Sequence, residues 1–416
     1  MTILWLLDID PRFGARSGST LRYTNLSRRL VAAGHRVYYV VGNSPNRDRE
    51  ARRNYLDALA EAGCFTGHFE LEAPAYSKMQ QRLARVLIHP GARDMVLKAG
   101  RAASRAAFQK LLEQTGADLC IVSDRVYLFL APELRHKLPI VIDWCDSETV
   151  YMYRDARYLL RSGTRHGVGA AIKNMFRAIA EEHFYGRRST ANVVVSAGDK
   201  KCLDRLNGKA DRNRVLLNGV SAPEFADPPA KCPDTLIFTG NMSFPPNYQA
   251  ALWFIDHVMP LLMERHPTVR LTIAGQEPVP ELMAKAGGRI EVTAFIPDLI
   301  GRIAQSQLYV APMQSGTGFR NKVVEALASG TYVIGTPMAL EFLDASLRDK
   351  LLTAPTAASF ADQILEFLKN PGHYSQRLEE ASTTVRKEFS WEIRAAEMEA
   401  LCVWAMQADR NAKMTY

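Results

Sequence analysis

Three residues whose chemistry fits a phosphorylated ligand, Arg320, Lys322 and Glu325, lie close together in the glycine-broken stretch 314–330. This stretch separates two β-rich runs, so it predicts a loop leading into a short helix that begins near Asn321. Such a loop presents backbone N–H groups and the positive end of the helix dipole to an anion. Arg320 and Lys322 add full charges, and Glu325, about one turn further along, is placed to accept the hydroxyls of a ribose. The pattern indicates a nucleotide site; the alternative is an ordinary strand–loop–helix connection with a solvated Arg and Lys.

A second group of polar residues follows the predicted strand 140–143. Asp143, Asp146 and Ser147 lie at or just after its carboxyl end, where parallel α/β sheets place their chemistry. We expect Asp143 or Asp146 to position the hydroxyl of an acceptor. The alternative for both residues is buried hydrogen bonding at the end of the strand.

The elements that must position these residues alternate between strands and helices in both halves of the chain. The first half opens with a βαβ unit whose loop contains Gly14 and Gly18, where backbone can approach a ligand closely. A turn-rich tract with Pro223, Phe225 and Pro228 indicates an interdomain linker. Each half is therefore predicted to be a doubly wound parallel α/β sheet. The predicted strands are 3–7, 36–41, 119–123, 140–143, 192–195, 214–217, 235–239, 270–274, 290–295, 308–311 and 332–335.

Composition indicates a folded protein of two domains: 416 residues, of which 47% are hydrophobic and 23% charged. The six cysteines are scattered without CxxC spacing, which favours a reducing compartment over disulfides or a zinc site. Residues 1–8 lack a basic region and predict a first strand rather than a signal peptide. There is no run of about 18 apolar residues, so we expect no membrane span.

Positive charge is concentrated in the first half of the chain. Residues 1–218 contain 35 Lys and Arg against 22 Asp and Glu, whereas the remainder contains 17 against 22. Two basic amphipathic stretches are predicted to be helical, 78–115 with a break at Pro90 and 153–188, and they favour binding to anionic lipid headgroups. The alternative is helices that pack on the domain with a solvated basic side. Nucleic acid is not expected as a partner because no zinc finger, RNP-like motif or basic helix with interleaved aromatics is present.

Six motifs in order make the chain resemble a GT-B glycosyltransferase of the family-four (group 1) kind over essentially its whole length. They are Gly18, Gly34-His35-Arg36-Val37, Asn218-Gly219-Val220, Phe238-Thr239-Gly240-Asn241, Ile273-Ala274-Gly275, and the run from Gly316-Thr317-Gly318 through Lys322 to Glu325-Ala326-Leu327-Ala328-Ser329-Gly330. A Phe389-Ser390-Trp391 entry to the last helix also recurs in that family.

The resemblance implies two doubly wound, Rossmann-like parallel-sheet domains that face each other across a cleft. Residues 1–218 would bind the acceptor and be completed by the C-terminal helix at about 393–416, and residues 219–392 would bind the nucleotide sugar. The implied activity is retaining transfer of a sugar from a nucleotide-sugar donor to a glycan or lipid-linked acceptor, in bacterial-type cell-surface polysaccharide synthesis. The expected location is cytoplasmic, peripheral at the inner face of the membrane, with an anionic membrane surface as a partner.

The resemblance also assigns roles to single residues. Glu325 matches the second acid of the family's E-x7-E signature, which binds the donor ribose, and Thr317 stands where the first acid would contact the donor sugar. Many members have glycine-arginine where this chain has Gly240-Asn241, and Cys145-Asp146 aligns with a His-Asp pair. The implied catalytic residues are Arg320, Lys322 and Asp146; the donor-binding residues are Gly18, Gly240, Asn241, Gly275, Phe295, Gly316, Thr317, Gly318, Asn321, Val324 and Glu325; and the acceptor-side residues are Asp143 and Ser147.

The nucleotide sugar is a co-substrate, and neither a cofactor nor a metal is expected, because protein cations neutralise the phosphates in this fold. The triplet Asp8-Ile9-Asp10 imitates the metal-binding DxD of the other glycosyltransferase fold, and we interpret it as structural. Two alternatives stay open. One is a GT-B member without transfer activity, either an epimerase or an inactive partner subunit, which Thr317 favours. The other is a nucleic-acid-binding protein that uses the basic half.

Overall fold

The computed structural model describes residues 1–9, 18–43, 49–72, 74–161, 163, 167–221 and 229–414. These residues form two compact units, Met1–Leu217 with Glu392–Tyr416, and Asn218–Trp391. Several residues named above, Asp10, Gly14, Pro223, Phe225 and Pro228, lie outside the described residues.

The first unit is built on a seven-stranded sheet in the order β3-β2-β1-β4-β5-β6-β7, and all of its strand pairs are parallel. Its interior strand β1, next to the central strand β4, is wholly buried, as expected for a strand covered by helices on both faces. The strands are β1 (Thr2–Leu7), β2 (Arg36–Asn43), β3 (Gly67–Glu72), β4 (Leu119–Val122), β5 (Ile140–Cys145), β6 (Ala191–Val194) and β7 (Asn213–Val215).

Helices connect these strands and flank the sheet. They are α1 (Gly18–Ala32), α2 (Arg49–Glu61), α3 (Lys78–Val86), α4 (Pro90–Leu97), α5 (Ala102–Thr115), α6 (Ala131–Leu134), α7 (Glu148–Arg161), α8 (Val168–Gly186) and α9 (Ala197–Asn207), with 3-10 turns at Ala99–Arg101 and Arg125–Leu130. Pro90 occupies the first turn of α4 and so starts a helix, because a proline at that position loses no intrahelical hydrogen bond. The predicted helix over 153–188 is two helices, and Gly163 and Gly167 between them adopt positive φ.

The second unit is built on a six-stranded parallel sheet in the order β10-β9-β8-β11-β12-β13. The strands are β8 (Cys232–Thr239), β9 (Arg270–Ala274), β10 (Ile290–Thr293), β11 (Ser306–Ala311), β12 (Tyr332–Gly335) and β13 (Leu352–Thr353). The helices are α10 (Pro245–His257), α11 (Met259–Arg265), α12 (Pro280–Met283), α13 (Leu299–Gln305), α14 (Asn321–Ala328), α15 (Pro337–Leu340), α16 (Ala345–Arg348), α17 (Ala357–Lys369), α18 (Ser375–Glu388) and α19 (Trp391–Met414), the last of which continues into the first unit. The predicted fold class, two doubly wound parallel α/β sheets, is confirmed.

The long helix α19 is held on the first unit by an ion pair and by a histidine–glutamate hydrogen bond one level further along. Arg29 of α1 pairs with Glu392 at 2.6 Å, and His35 pairs with Glu399 at 2.8 Å. Further along, the Arg214 guanidinium lies over the ring of Trp404 at 4.7 Å. The end of the chain therefore packs against the sheet with which the chain begins.

Candidate functional site

The turn before α14 depends on two glycines in the left-handed region. Gly316 has φ +93° and Gly318 has φ +82°, a conformation that is costly for other residues. A Cβ at Gly316 would also lie only 3.3 Å from the Cβ of Pro246. The chain therefore turns tightly into α14, whose first backbone N–H groups and helix dipole are available to an anion.

Lys322 in the first turn of α14 is clamped by residues of β8 and α10. Its Nζ donates to Oδ1 of Asn247 at 2.5 Å and lies 4.6 Å from the ring centre of Phe238. A Cβ at Gly240 would be 2.9 Å from this Nζ, so a larger residue in the turn after β8 would require the lysine side chain to shift. Burial, and then repulsion from Arg320, lower the pKa of Lys322 to about 7.

Arg320 immediately precedes α14 and is 8% exposed. Its guanidinium donates to the backbone carbonyl of Thr317, which ties the side chain to the glycine turn. Two cations, Arg320 and Lys322, are thus held close enough in a poorly solvated place for one to depress the pKa of the other. An anion bound there would relieve this repulsion, which is the electrostatic character of a phosphate site.

Glu325 lies one turn further into α14 and is partly buried. Burial raises the pKa of its carboxyl group, and the charge of Lys322 opposes that rise. The carboxyl group also helps to raise the pKa of Tyr309, on the neighbouring strand β11. Arg320, Lys322 and Glu325, which the sequence predicted as one group, therefore surround the same end of α14.

The ends of β8 and β9 meet beside this group. A Cβ at Gly275 would lie 1.5 Å from the carbonyl oxygen of Gly240, so glycine is required for the close approach. After Gly240, the side chain of Asn241 accepts hydrogen bonds from the backbone N–H and hydroxyl of Ser243 at 2.9 and 2.7 Å. The same hydroxyl also lies 3.0 Å from a carboxylate oxygen of Glu277, to which it can donate its one proton instead. Sequence reasoning missed Phe238 as a lysine contact, and it missed Asn247 and Glu277 altogether, because their relation to α14 or to Asn241 exists only in the folded chain.

The remaining predicted donor residues differ in their positions. Asn321 accepts a hydrogen bond from Nδ2 of Asn218 at 3.1 Å, which ties the start of α14 to the start of the second unit. Phe295 follows β10 and is 57% exposed, whereas Val324 is fully buried and faces the core. Gly18 begins α1 in the first unit. The donor-binding roles of these four residues stay predictions.

The predicted acceptor-side residues follow β5 in the first unit. Asp143 is buried and pairs with Arg22 at 2.8 Å, and Arg22 also donates to the carbonyl of Leu216 at 2.9 Å. Such a pair matches the alternative of buried hydrogen bonding at the strand end. Ser147 donates to Glu182 at 3.0 Å, and burial raises the pKa of that glutamate. Asp146 is exposed, and its catalytic role stays a prediction.

Sequence comparison with known proteins finds glycosyltransferases. Residues 233–370 match the family model described as glycosyl transferases group 1. Phosphatidyl-myo-inositol mannosyltransferase of Mycobacterium leprae is 29% identical over 198 residues, which cover 44% of this chain and 51% of that protein. The chain spans about half of the length of the curated relatives it matches, or less.

Solved structures match over nearly the whole chain. Sucrose-phosphate synthase from Thermosynechococcus elongatus has a TM-score of 0.68 at 16% sequence identity. The structural match covers 98% of this chain and 99% of the synthase chain. Anabaena HepE in complex with UDP has a TM-score of 0.66 at 13% sequence identity, and the match covers 96% of this chain and 99% of the HepE chain. A further similar HepE structure contains UDP-glucose. The chain has the GT-B glycosyltransferase fold. The match to the group 1 family model is confined to residues 233–370, within the second unit.

Proposed function

We propose that the protein is a retaining glycosyltransferase that moves a sugar from a nucleotide-sugar donor to a glycan or lipid-linked acceptor during assembly of a cell-surface polysaccharide. The observation that carries this proposal is the arrangement at α14. Two cations, the buried Arg320 and the partly buried Lys322, lie beside the helix N-terminus, and Glu325 lies one turn further in. A diphosphate followed by a ribose presents groups of matching charge in the same order.

The chemical step breaks the bond between the anomeric carbon of the sugar and the donor phosphate, and forms a bond from that carbon to the acceptor oxygen. The leaving nucleoside diphosphate gains negative charge, and its departing phosphate oxygen takes up the proton that the acceptor hydroxyl loses. Arg320, Lys322 and the α14 dipole are held in place before the reaction, so they stabilise this charge without reorganisation. We expect these protein cations to take the part that a metal plays in other transferases.

A second candidate function rests on Thr317. This residue is 8% exposed and supplies a hydroxyl where the resemblance implies a carboxylate for the donor sugar. A member without transfer activity would keep the nucleotide site and lose turnover. The two candidate functions are distinguished by incubating the purified protein with labelled UDP-, GDP- and ADP-sugars and membranes. Transfer of label supports the enzyme, whereas nucleotide binding without any transfer contradicts it.

We also propose that the first unit touches an anionic membrane surface. Helix α3 has no buried residue, and its apolar side chains Met79 and Val86 are 70% and 68% exposed. Arg82 and Arg85 lie on the same helix, which is stabilised by a capping box between Ser77 and Gln80. An exposed helix that combines apolar and basic residues is typical of attachment to a lipid interface.

The lipid-linked acceptor in this proposal is supported by the name of the mycobacterial relative. Within the ranges that the structure describes, none of the helices is long and apolar enough to cross a membrane. We propose that the exposed apolar and basic surface of α3 brings the protein to such an acceptor. Flotation with vesicles of phosphatidylcholine alone and with added phosphatidylglycerol tests this. Binding that depends on phosphatidylglycerol supports the proposal, and equal binding or none contradicts it.

A further inference from the structure

The first unit carries an open groove of about 750 Å³ along α4 and α5, which has the size of a small-molecule site. Ala99, Ala102 and Ala106 form its floor, at spacings of three and four residues that place them on one helical face. Met95 stands at one end and is 80% exposed. The lining is therefore mainly apolar and consists of small side chains, which leave room for a ligand.

A buried polar network behind the groove fixes its shape. Arg101 is 7% exposed, pairs with Asp94, donates to the hydroxyl of Tyr76 at 3.0 Å and lies over the ring of Phe129 at 4.3 Å. The hydroxyl of Tyr185 donates to the same aspartate at 3.0 Å. These contacts hold α4 and α5 in place without a ligand. The groove is thus formed in advance and does not need to be opened by binding.

The charge around the groove is positive. Glu133 in the lining is already paired with Arg105 at 2.7 Å, which neutralises its charge. Lys98 is exposed within the lining, and Lys137 donates to the lining residue Gln109. An apolar floor with two cations at its edges is complementary to a hydrocarbon chain that carries a phosphate.

The groove lies next to α3, whose apolar side chains are exposed. The side chain of Gln80 on α3 donates to the carbonyl of Val96, which lines the groove, at 3.0 Å. Helix α3 therefore lies directly beside the groove. A lipid that reached α3 from a membrane would have a short apolar path into it.

We propose that this groove binds the hydrocarbon chain of a phosphate-bearing lipid acceptor, with the chain on Ala99, Ala102 and Ala106 and the phosphate beside Lys98. The inference rests on the proposed function, because it names the chemical class of that acceptor. It adds a binding site to the first unit that is separate from the nucleotide site at α14. The competing occupant, a second copy of the chain, is an outcome of the test.

The test fills the groove with one side chain and compares it with a matched control. Ala102→Trp places an indole on the groove floor, whereas Ala103→Trp places the same group on an exposed part of the same helix outside the lining. Binding of farnesyl phosphate, farnesol and inorganic phosphate is measured by calorimetry for both variants, for Lys98→Gln and for the unsubstituted protein. Circular dichroism melting and sedimentation verify folding and oligomeric state.

We expect the unsubstituted protein and Ala103→Trp to bind farnesyl phosphate more tightly than farnesol, and neither to bind inorganic phosphate measurably. Ala102→Trp should bind farnesyl phosphate at least about tenfold more weakly, a loss of about 1.4 kcal/mol. Lys98→Gln should weaken farnesyl phosphate binding and leave farnesol binding unchanged, because only the phosphate contact is removed.

Four results would overturn the groove proposal: no binding of farnesyl phosphate, unchanged affinity in Ala102→Trp, equal losses in the two tryptophan variants, or a dimer that Ala102→Trp dissociates. The last would assign the groove to a second copy of the chain. Nucleotide binding measured on the same samples separates this outcome from failure of the proposed function. If Ala102→Trp keeps nucleotide affinity and loses farnesyl phosphate, both proposals stand. If no variant binds nucleotide but the unsubstituted protein binds farnesyl phosphate and Ala102→Trp does not, the proposed function fails and the groove remains a site for a phosphate-bearing lipid.

Discussion

Nucleotide binding should weaken as the pH rises above about 7, because the site holds a lysine that loses its proton there. Burial and the charge of Arg320 lower the pKa of Lys322 to about 7, and Glu325 only partly opposes this. A bound diphosphate favours the protonated ammonium, so binding above pH 7 must take up a proton. Arginine does not titrate in this range, so Lys322 accounts for the effect.

The magnitude follows from proton linkage. Each pH unit above the pKa of the free lysine costs about 1.4 kcal/mol, or roughly a tenfold loss of affinity, until the pKa of the complex is reached. Between about pH 7 and pH 9 the loss is therefore up to roughly a hundredfold. Each phosphate of a nucleotide sugar has only one, strongly acidic, ionisable oxygen, because its other oxygens are esterified or form the anhydride, so the diphosphate is fully ionised over this range. Ionisation of the ligand therefore contributes little to the change of binding affinity with pH.

The assay is calorimetric titration with UDP-glucose and GDP-mannose at half-unit steps of pH, in two buffers of different ionisation enthalpy, so that proton uptake is measured directly. Lys322→Gln is the matched variant: its affinity should be lower at pH 7 and independent of pH. An unsubstituted protein whose affinity stays flat up to pH 9 would refute the reasoning. So would a pH slope that persists in Lys322→Gln.

The same lysine should make the unliganded protein less stable near neutral pH. Its folded pKa of about 7 lies below the unfolded value, so between the two values the unfolded chain binds more protons and stability rises with pH. Lys322→Met should therefore raise the melting temperature of the unliganded protein at pH 7 while it weakens nucleotide binding. A melting temperature that falls would contradict the assigned burial of the charge.

Three further predictions concern other parts of the chain. Glu325→Gln should weaken nucleotide binding by about 1–3 kcal/mol, because a charged hydrogen bond to the ribose is lost; calorimetry at pH 7 checks this, and unchanged affinity would remove the ribose assignment. The double variant Arg82→Glu with Arg85→Glu reverses two positive charges on α3 and should abolish flotation with phosphatidylglycerol vesicles, while the melting temperature stays unchanged. Undiminished flotation would show that α3 is not the attachment surface. Asp143→Ala should destabilise the first unit by about 3–5 kcal/mol, because Arg22 is left buried without its partner; urea unfolding measures this, and near-native stability would argue against a structural pair.

The inner strands of the sheets can be predicted from the sequence because each one is marked by the apolar residues of its own short segment. In a parallel sheet covered on both faces, strands such as β1 and β4 are buried along their whole length and read as continuous apolar runs. Strand β3 lies at the edge of the sheet and contains His68 and Glu70, so the charged segment around it gave no strand prediction. Two-residue β13 is too short to produce any pattern.

Charge counts proved less informative than charge positions. Arg101 was counted with the basic surface of 78–115, but it is buried in the network that supports the groove. Arg22 carried no sequence signal, yet it forms the buried pair with Asp143. A sequence shows that a residue is charged, whereas only the fold shows whether a partner from a distant part of the chain neutralises it.

The nucleotide site could be predicted only in part, because some of its residues are close together in the sequence and others are distant. Arg320, Lys322 and Glu325 lie within six residues, so helical geometry alone brings them together. The contacts that set the properties of Lys322 come from Phe238 and Asn247, which are far away in the sequence. The anion site could therefore be predicted, but the lowered pKa of its lysine could not.

The most direct test of the central claim is a crystal structure of the protein with a bound nucleoside diphosphate. The account predicts density for the diphosphate at the N-terminus of α14, in contact with Arg320 and Lys322, and for the ribose at the carboxylate of Glu325. A well-ordered nucleotide bound elsewhere on the protein, with these three side chains unoccupied, would contradict it.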